Sequence, residues 1–288
     1  MTFLLVTIIL FISFLLLLGL LEFFFHNKYL SQIPIRIHVN GSRGKSSVVR
    51  LIAAGLRGAG IPTIGKVTGS SPRIIDLNGN DVKIHRLRTA SIGEQIKMIK
   101  EFSKYKPKAI VIECMAVMPQ YQWISEKKMV KSTIGVITNV RPDHLDEMGY
   151  DQESIALSLS NSIPNNAKLI LGESKFKDQF QSIADQNKTD IEIVNADSIN
   201  NEYMENFPYL EHRSNIATAL LVCTKLGIKK DLALKSIIKT NPDPGSLKYY
   251  RMNIGESDNI FINGFAANDP ESSLSVWDLI SHKFENYK

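Results

Sequence analysis

The 288-residue sequence predicts an α/β fold: a mainly parallel sheet, preceded by one transmembrane helix and followed by a short C-terminal hairpin and helix. Three observations carry this. A charge-free apolar run opens the chain, short apolar runs then alternate with helical stripes, and a Pro/Gly breaker run near residue 241 ends the alternation. Hydrophobic residues make up 44% and charged residues 22%, which excludes wholesale disorder. The balance of 34 Lys+Arg against 29 Asp+Glu gives +5, with the positive residues scattered, so nucleic acid is not the expected partner. Two cysteines, Cys114 and Cys223, lie far apart without metal-ligand spacing. That excludes a structural zinc site or disulfide framework and fits a reducing compartment.

The run from Phe3 to Leu21 contains no charged residue. As a helix it spans about 29 Å, close to the hydrocarbon thickness of a bilayer. A cleaved signal peptide is the competing reading. No basic residue precedes the run and no A-x-A-like site follows it, which favours an uncleaved anchor. Lys28 and Arg36 flank its C-terminal side, so the positive-inside bias puts the rest of the chain in the cytoplasm.

Ile35 to Val39 then reads as a short buried strand and Ser46 to Ala59 as a helix with Val48, Val49, Ile52 and Leu56 on one side. Gly58 and Gly60 suit its end, and Ile61-Pro62 opens an extended segment. Ile92, Ile96, Ile99 and Phe102 form a helical stripe. Ala109 to Ile112 and Thr133 to Thr138 read as strands, Gln152 to Leu159 as a helix and Lys168 to Leu171 as a strand. Phe176 to Gln186 is helical in pattern and Ile191 to Val194 strand-like. Asn215 to Leu226 and Asp231 to Lys239 form a helix pair joined through Gly227. The breaker run Asn241 to Gly245 is the candidate linker. A hairpin, Lys248 to Ile254 with Asn259 to Ile262, and a helix over Glu271 to Ile280 complete the prediction.

The strongest chemical signal is Asn40-Gly41-Ser42-Arg43-Gly44-Lys45-Ser46-Ser47 between a strand and a helix. Gly41 and Gly44 permit a tight turn whose N–H groups face phosphate oxygens, and the helix start adds positive charge there. Lys45 is placed to bridge β- and γ-phosphates and Ser46 to offer a hydroxyl to Mg²⁺. The full Walker spacing would need glycine at Val39, so only the shorter G-x-x-G-K-S core is present. Arg43 reads as a solvated loop charge or a phosphate contact.

Glu113 ends an apolar strand, where a carboxylate faces the crevice in which parallel sheets bind ligands. It is a candidate for holding Mg²⁺, against the alternative of a carboxylate paired with a lysine. The strand over 133–138 is followed by Arg141-Pro142-Asp143-His144-Leu145-Asp146. His144 is a candidate Mg²⁺ ligand, with Asp143 or Asp146 orienting it.

With GSRGKSS at 41–47, Glu113 and TNVRPDHLDEMG at 138–149, the chain resembles the Mur ligase superfamily of ATP-dependent amide ligases. The anchor and the wordings IECMAV, EHRSN and FAANDPES look similar to one branch, the membrane-associated ligase subunits of capsular poly-γ-glutamate synthase. The resemblance implies an ATP-binding central domain over 28–244, an anchor over 1–27 and a partial C-terminal domain over 245–288. It implies a ligase that phosphorylates the terminal carboxylate of a poly-γ-glutamate chain and transfers the acyl group to a glutamate amine, with other membrane subunits as partners. It also implies that Gly41, Ser42, Arg43, Gly44, Lys45, Ser46 and Ser47 hold ATP and that Lys45, Glu113 and His144 serve the chemistry. Ser46 would hold a first Mg²⁺ and Glu113 with His144 a second. Asn215 falls where the superfamily places an adenine contact, and it reads equally as a helix cap.

Departures from the pattern keep other functions open. No lysine lies in 151–162, where many members carry a carbamylated one. The usual His-Asn-x-x-Asn is Glu211-His212-Arg213-Ser214-Asn215, and the third-domain loop is reduced to Ala266-Ala267-Asn268-Asp269-Pro270. The expected C-terminal α/β domain is represented only by its hairpin and first helix, so either a partner chain completes it or the chain is a truncated product. The alternatives are a noncatalytic nucleotide-binding subunit or remnant, or another membrane-associated P-loop ATPase.

Overall fold

The computed structural model describes residues 2–69, 71–86, 90–244, 247–254, 257–264 and 270–284. Helix α1 (Thr2–Ser31) is exposed from Phe3 to Phe25 and carries no charge from Phe3 to Leu21, and its span from Phe3 is long and apolar enough to cross a membrane. The helix runs on without a break into the folded body. Leu30 and Ile33 are buried there with Ile99, Phe102 and Ile110, and His26 Nε2 meets the Met129 carbonyl at 2.7 Å.

The body is built on β1 (Ile35–Asn40), α2 (Lys45–Gly58), β2 (Thr63–Val67), β3 (Arg73–Ile75), β4 (Asp81–Lys83), α3 (Glu94–Lys104) and β5 (Ala109–Glu113). Then come α4 (Pro119–Ile124), continued by a π-helical turn over Ser125–Val130, β6 (Ile134–Ile137), α5 (Leu145–Met148), α6 (Gln152–Ser160), β7 (Lys168–Leu171), α7 (Lys177–Gln186) and β8 (Asp190–Ile193). Helices α8 (Asn201–Glu205), α9 (Arg213–Lys225) and α10 (Lys230–Ile237) follow. The eight strands β1–β8 form one sheet in the order β4-β3-β2-β5-β1-β6-β7-β8. Pairing is parallel from β2 to β8, and β3 and β4 add an antiparallel edge.

This is the mainly parallel α/β sheet the alternation predicts. The helix stripe on α2 buries Val48, Val49, Ile52 and Leu56 against the sheet and against Ile216, Leu220 and Ile237 of α9 and α10. A second core lies under α6 and α7 around Ile155, Leu159 and Phe180. Strands β3 and β4 and the short helices α4, α5 and α8 go beyond the sequence reading, because three to six residues are too few to show a period. The run from Asn241 begins as a tied segment: the Asp243 carboxylate pairs with Arg50 Nε of α2 at 3.1 Å. Strands β9 (Lys248–Ile254) and β10 (Ser257–Asn263) form the expected antiparallel hairpin, and α11 (Pro270–Lys283) follows. The loop at 266–269 lies outside the described residues.

Candidate functional site

Strand β1 sits between β5 and β6. The chain leaves it through α2 to β2 on one side and later returns on the other with β6, so a crevice opens at its carboxyl end. The register levels the strand ends: Val39 pairs with Glu113 and Asn40 with Ile137. The turn after β1, Glu113 and the loop after β6 therefore meet at one height. They wall a cleft of 370 Å³ that Gly41, Lys45, Glu113, Asp143 and His144 line together.

The turn is shaped by two glycines with positive φ. At Gly41 (φ 130°) a Cβ would lie 2.1 Å from Thr138 Oγ1, and at Gly44 (φ 80°) it would lie 2.8 Å from Asn215 Oδ1. The chain after β6 braces the turn. Thr138 Oγ1 donates to the Arg43 carbonyl at 2.6 Å and Asn139 Nδ2 to the same oxygen at 3.1 Å. The Arg43 N–H donates to Asn139 Oδ1, and Ser42 Oγ donates to the Arg141 carbonyl. Gly44 caps α2 with no side-chain acceptor, so the first N–H groups of the helix have no side-chain cap. Such an end, with a lysine beside it, suits an anion.

Lys45 Nζ donates to the carbonyls of Gly41 and Ser42 at 2.6 and 2.9 Å. Ser46 Oγ donates to Glu113 Oε2 at 2.8 Å, and the Thr68 N–H donates to the same oxygen at 2.6 Å. Glu113 is buried, and its Oε1 makes no hydrogen bond among the described residues. Glu113 therefore pairs with a serine and a backbone amide rather than with a lysine.

His144 takes a left-handed backbone (φ 46°) as the cap of α5 and leaves its ring half exposed. Its Nε2 lies 3.9 Å from Asp143 Oδ1, and Arg43 Nη2 lies 3.6 Å from the same oxygen. Asp143 is thus the carboxylate beside His144. Asp146 is exposed and accepts from the Tyr150 hydroxyl instead. Arg43 lines the cleft rather than standing free in solvent. Among the described residues no three His, Cys, Asp or Glu side chains gather as a closed metal cage. The donors present are a hydroxyl, one carboxylate with a free oxygen and an imidazole. The hydroxyl and the carboxylate are hard oxygen donors of the kind a divalent cation takes, with water and phosphate oxygens completing its shell.

Ser47 stands in the first turn of α2 and does not line the cleft, and neither does Asn215. Asn215 is buried inside α9, which starts at Arg213 after His212, so it is not a helix cap. Its Nδ2 donates to Glu211 Oε1 at 2.8 Å, and the amide rests against Gly44.

Residues 39–229 match the Mur ligase middle domain family. The chain belongs to the Mur ligase family. It is 37% identical over 269 residues to the capsule biosynthesis protein CapB of Bacillus anthracis, covering 93% of this chain and 58% of that protein. Against the PGA synthase CapB of Bacillus subtilis it is 36% identical over 264 residues, covering 91% of this chain and 67% of the relative. The chain thus spans about three fifths to two thirds of these relatives. A bifunctional folylpolyglutamate synthase/dihydrofolate synthase, solved with Mn, AMPPNP and L-glutamate bound, shares the fold with a TM-score of 0.68 at 16% identity, covering 89% of this chain and 68% of that one.

Sequence reasoning misses the polar groups beneath the site of this Mur ligase. Asn40 Nδ2 donates to Gln122 Oε1 at 2.7 Å and to Ser162 Oγ at 3.1 Å, and Gln122 Nε2 donates to the Val117 carbonyl and Ser158 Oγ. His38 Nδ1 meets Glu126 Oε2 at 2.8 Å. Burial pulls the His38 pKa down, but the neighbouring Cys114 and Glu126 outweigh it and raise it to about 10. Lys66, fully buried on β2, meets Glu94 and Gln95 of α3. The available signal for Asn40, His38 and Lys66 is their position inside apolar strand runs, where a polar residue needs a buried partner.

Proposed function

We propose that this Mur ligase family member is an ATP-dependent amide ligase of poly-γ-glutamate synthesis, anchored in the membrane by α1 with its body on the cytoplasmic side. The observation that carries the reading is the Ser46–Glu113 hydrogen bond. It ties the start of α2 to the end of β5 on a cleft that also receives Lys45 and His144.

In this reading the N–H groups of 41–46 and Lys45 hold the β- and γ-phosphates of ATP, and Arg43 and Ser42 close the turn on them. Magnesium held by Ser46, and by Glu113 with His144, would neutralise phosphate charge as it develops. The terminal carboxylate of the acceptor chain attacks the γ-phosphorus, and ADP leaves. The glutamate amine then forms the amide bond as phosphate departs. Gathering this many anionic oxygens requires fixed positive charge, which Lys45 and the helix start supply. Asn215 acts on the turn from behind, through its contact with Gly44. The capsule and PGA synthase names of the two relatives support the substrate class, and other membrane subunits of the synthase are the partners expected.

The test supplies membranes containing the chain with ATP, Mg²⁺ and labelled glutamate, with and without the neighbouring subunits. Glutamate-dependent ADP release that Lys45→Ala abolishes, with the fold retained, supports the ligase. Nucleotide binding with no turnover under any condition favours a noncatalytic subunit, and glutamate-independent hydrolysis favours a motor ATPase.

A further inference from the structure

Three charged side chains on the β2–α3 side of the cleft have no role in the chemistry above. Lys66 has no solvent exposure, and its Nζ lies 2.8 Å from Glu94 Oε1 and 3.0 Å from Gln95 Oε1. Glu94 also accepts a side-on pair from Arg86, with Nε to Oε2 at 2.7 Å and Nη2 to Oε1 at 3.1 Å. Two cations therefore share one carboxylate, and the cluster carries net positive charge. The hydrogen bonds from Arg86 and Lys66 overcome the effect of burial and hold the Glu94 pKa at about 2, so the carboxylate stays ionised.

The surplus charge has an outlet. Arg86 lines the cleft with 21% of its side chain exposed, and its Nη1 makes no hydrogen bond among the described residues. A buried ammonium is costly unless an anion is hydrogen-bonded to it, which is what Glu94 does for Lys66. Glu94 alone would neutralise Arg86. With Lys66 on the other side of Glu94, the guanidinium is held flat and remains net positive toward the cleft. Burial lowers the Lys66 pKa, against which Glu94 and, more weakly, Glu113 act; Glu113 is the carboxylate that the ligase reading gives to magnesium. The phosphate position is already served by Lys45 and the 41–46 turn, which leaves Arg86 for a second anion. A guanidinium edge suits a carboxylate.

We propose that Arg86 receives a carboxylate of the acidic acceptor substrate and that buried Lys66, by sharing Glu94, is the residue that positions it. The inference rests on the ligase reading and names the substrate contact that reading lacks. Arg86 would make that contact itself, whereas Lys66 acts through Glu94.

The experiment is calorimetric titration of the full chain in lipid nanodiscs, with ADP and Mg²⁺ present. The probes are a γ-linked glutamate tetramer and the same tetramer with its α-carboxylates converted to carboxamides. The wild type should prefer the acid form by about tenfold, the worth of one charge-assisted hydrogen bond. Arg86→Gln should bring that ratio near one, Arg86→Lys should retain part of it, and Lys66→Met should lower it, all with ADP affinity unchanged. Should Lys66→Met not fold, Glu94→Gln reads the positioning role and is expected to lower the same ratio. An unchanged ratio in Arg86→Gln, or no preference in the wild type, overturns the proposal while ADP binding stands. Loss of ADP affinity in Arg86→Gln assigns the residue to phosphate and also overturns it. Failure of the wild type to bind ADP overturns the ligase reading itself.

Discussion

Replacing Gly44 with alanine tests whether Asn215 and the glycine turn are one mechanical unit. At φ 80° an alanine costs about 1–2 kcal/mol in backbone strain. The new Cβ would also lie 2.8 Å from Asn215 Oδ1 and 3.0 Å from Nδ2, so the amide must move. Moving it breaks the buried bond to Glu211, worth about 1.5–3 kcal/mol because the acceptor is charged. Gly44→Ala should therefore lower stability by about 2.5–5 kcal/mol. In an Asn215→Ala background the obstruction is gone, and Gly44→Ala should cost only the strain, about 1–2 kcal/mol. Gly227 supplies the control: its φ is 82° and nothing lies within 4 Å of its Cβ position, so Gly227→Ala reads the strain alone. The assay is urea unfolding of the chain in detergent micelles, followed by tryptophan fluorescence at constant m-value. If Gly44→Ala costs the same in both backgrounds, within about 0.5 kcal/mol, the two residues are independent and the reasoning fails.

His38 predicts a pH dependence. Its folded pKa is raised from 6.5 to about 10, so its contribution is complete below pH 6.5 and fades as pH rises toward 10. The stability difference between wild type and His38→Gln should shrink across that window, and a flat difference in unfolding experiments refutes it. Gln122→Ala leaves Asn40 Nδ2 with Ser162 alone and takes the Gln122 donor from Ser158 in a buried setting. The expected loss is about 2–3 kcal/mol of stability by denaturant unfolding, with weaker ADP binding because Asn40 adjoins the turn; full stability and full affinity together would count against the network.

Much of this arrangement is legible in the residues themselves. Strand, Gly-rich turn and helix follow from the apolar run Ile35 to Val39, the glycines at 41 and 44 and the stripe Val48 to Leu56. The strands of the parallel sheet announce themselves because both faces are buried, so Ala109 to Ile112 and Lys168 to Leu171 stand out. What stays hidden depends on partners distant in sequence. The place of Lys66 in an apolar strand is explained only when Glu94 stands beside it, and the His38 pKa rises through Cys114 and through Glu126, brought from 88 positions away. Asn215 reads equally as a cap because a one-dimensional pattern does not fix whether α9 starts at Arg213 or at residue 216.

The 41–47 and 138–149 stretches work as one object. The Arg43 carbonyl is held by Thr138 and Asn139, and Ser42 by Arg141, so the exit of β6 fixes the shape of the turn after β1. Within that frame Lys45 satisfies itself on the carbonyls of Gly41 and Ser42. A ligand must offer Lys45 something better than two neutral oxygens to draw it into the cleft. An anionic oxygen does, since it adds to the hydrogen bond an attraction between two full charges that a carbonyl dipole lacks. A neutral ligand gains nothing there. The self-bonded lysine therefore makes the turn selective for charge before any catalytic group takes part, and selectivity comes from the competition the loop sets up within itself.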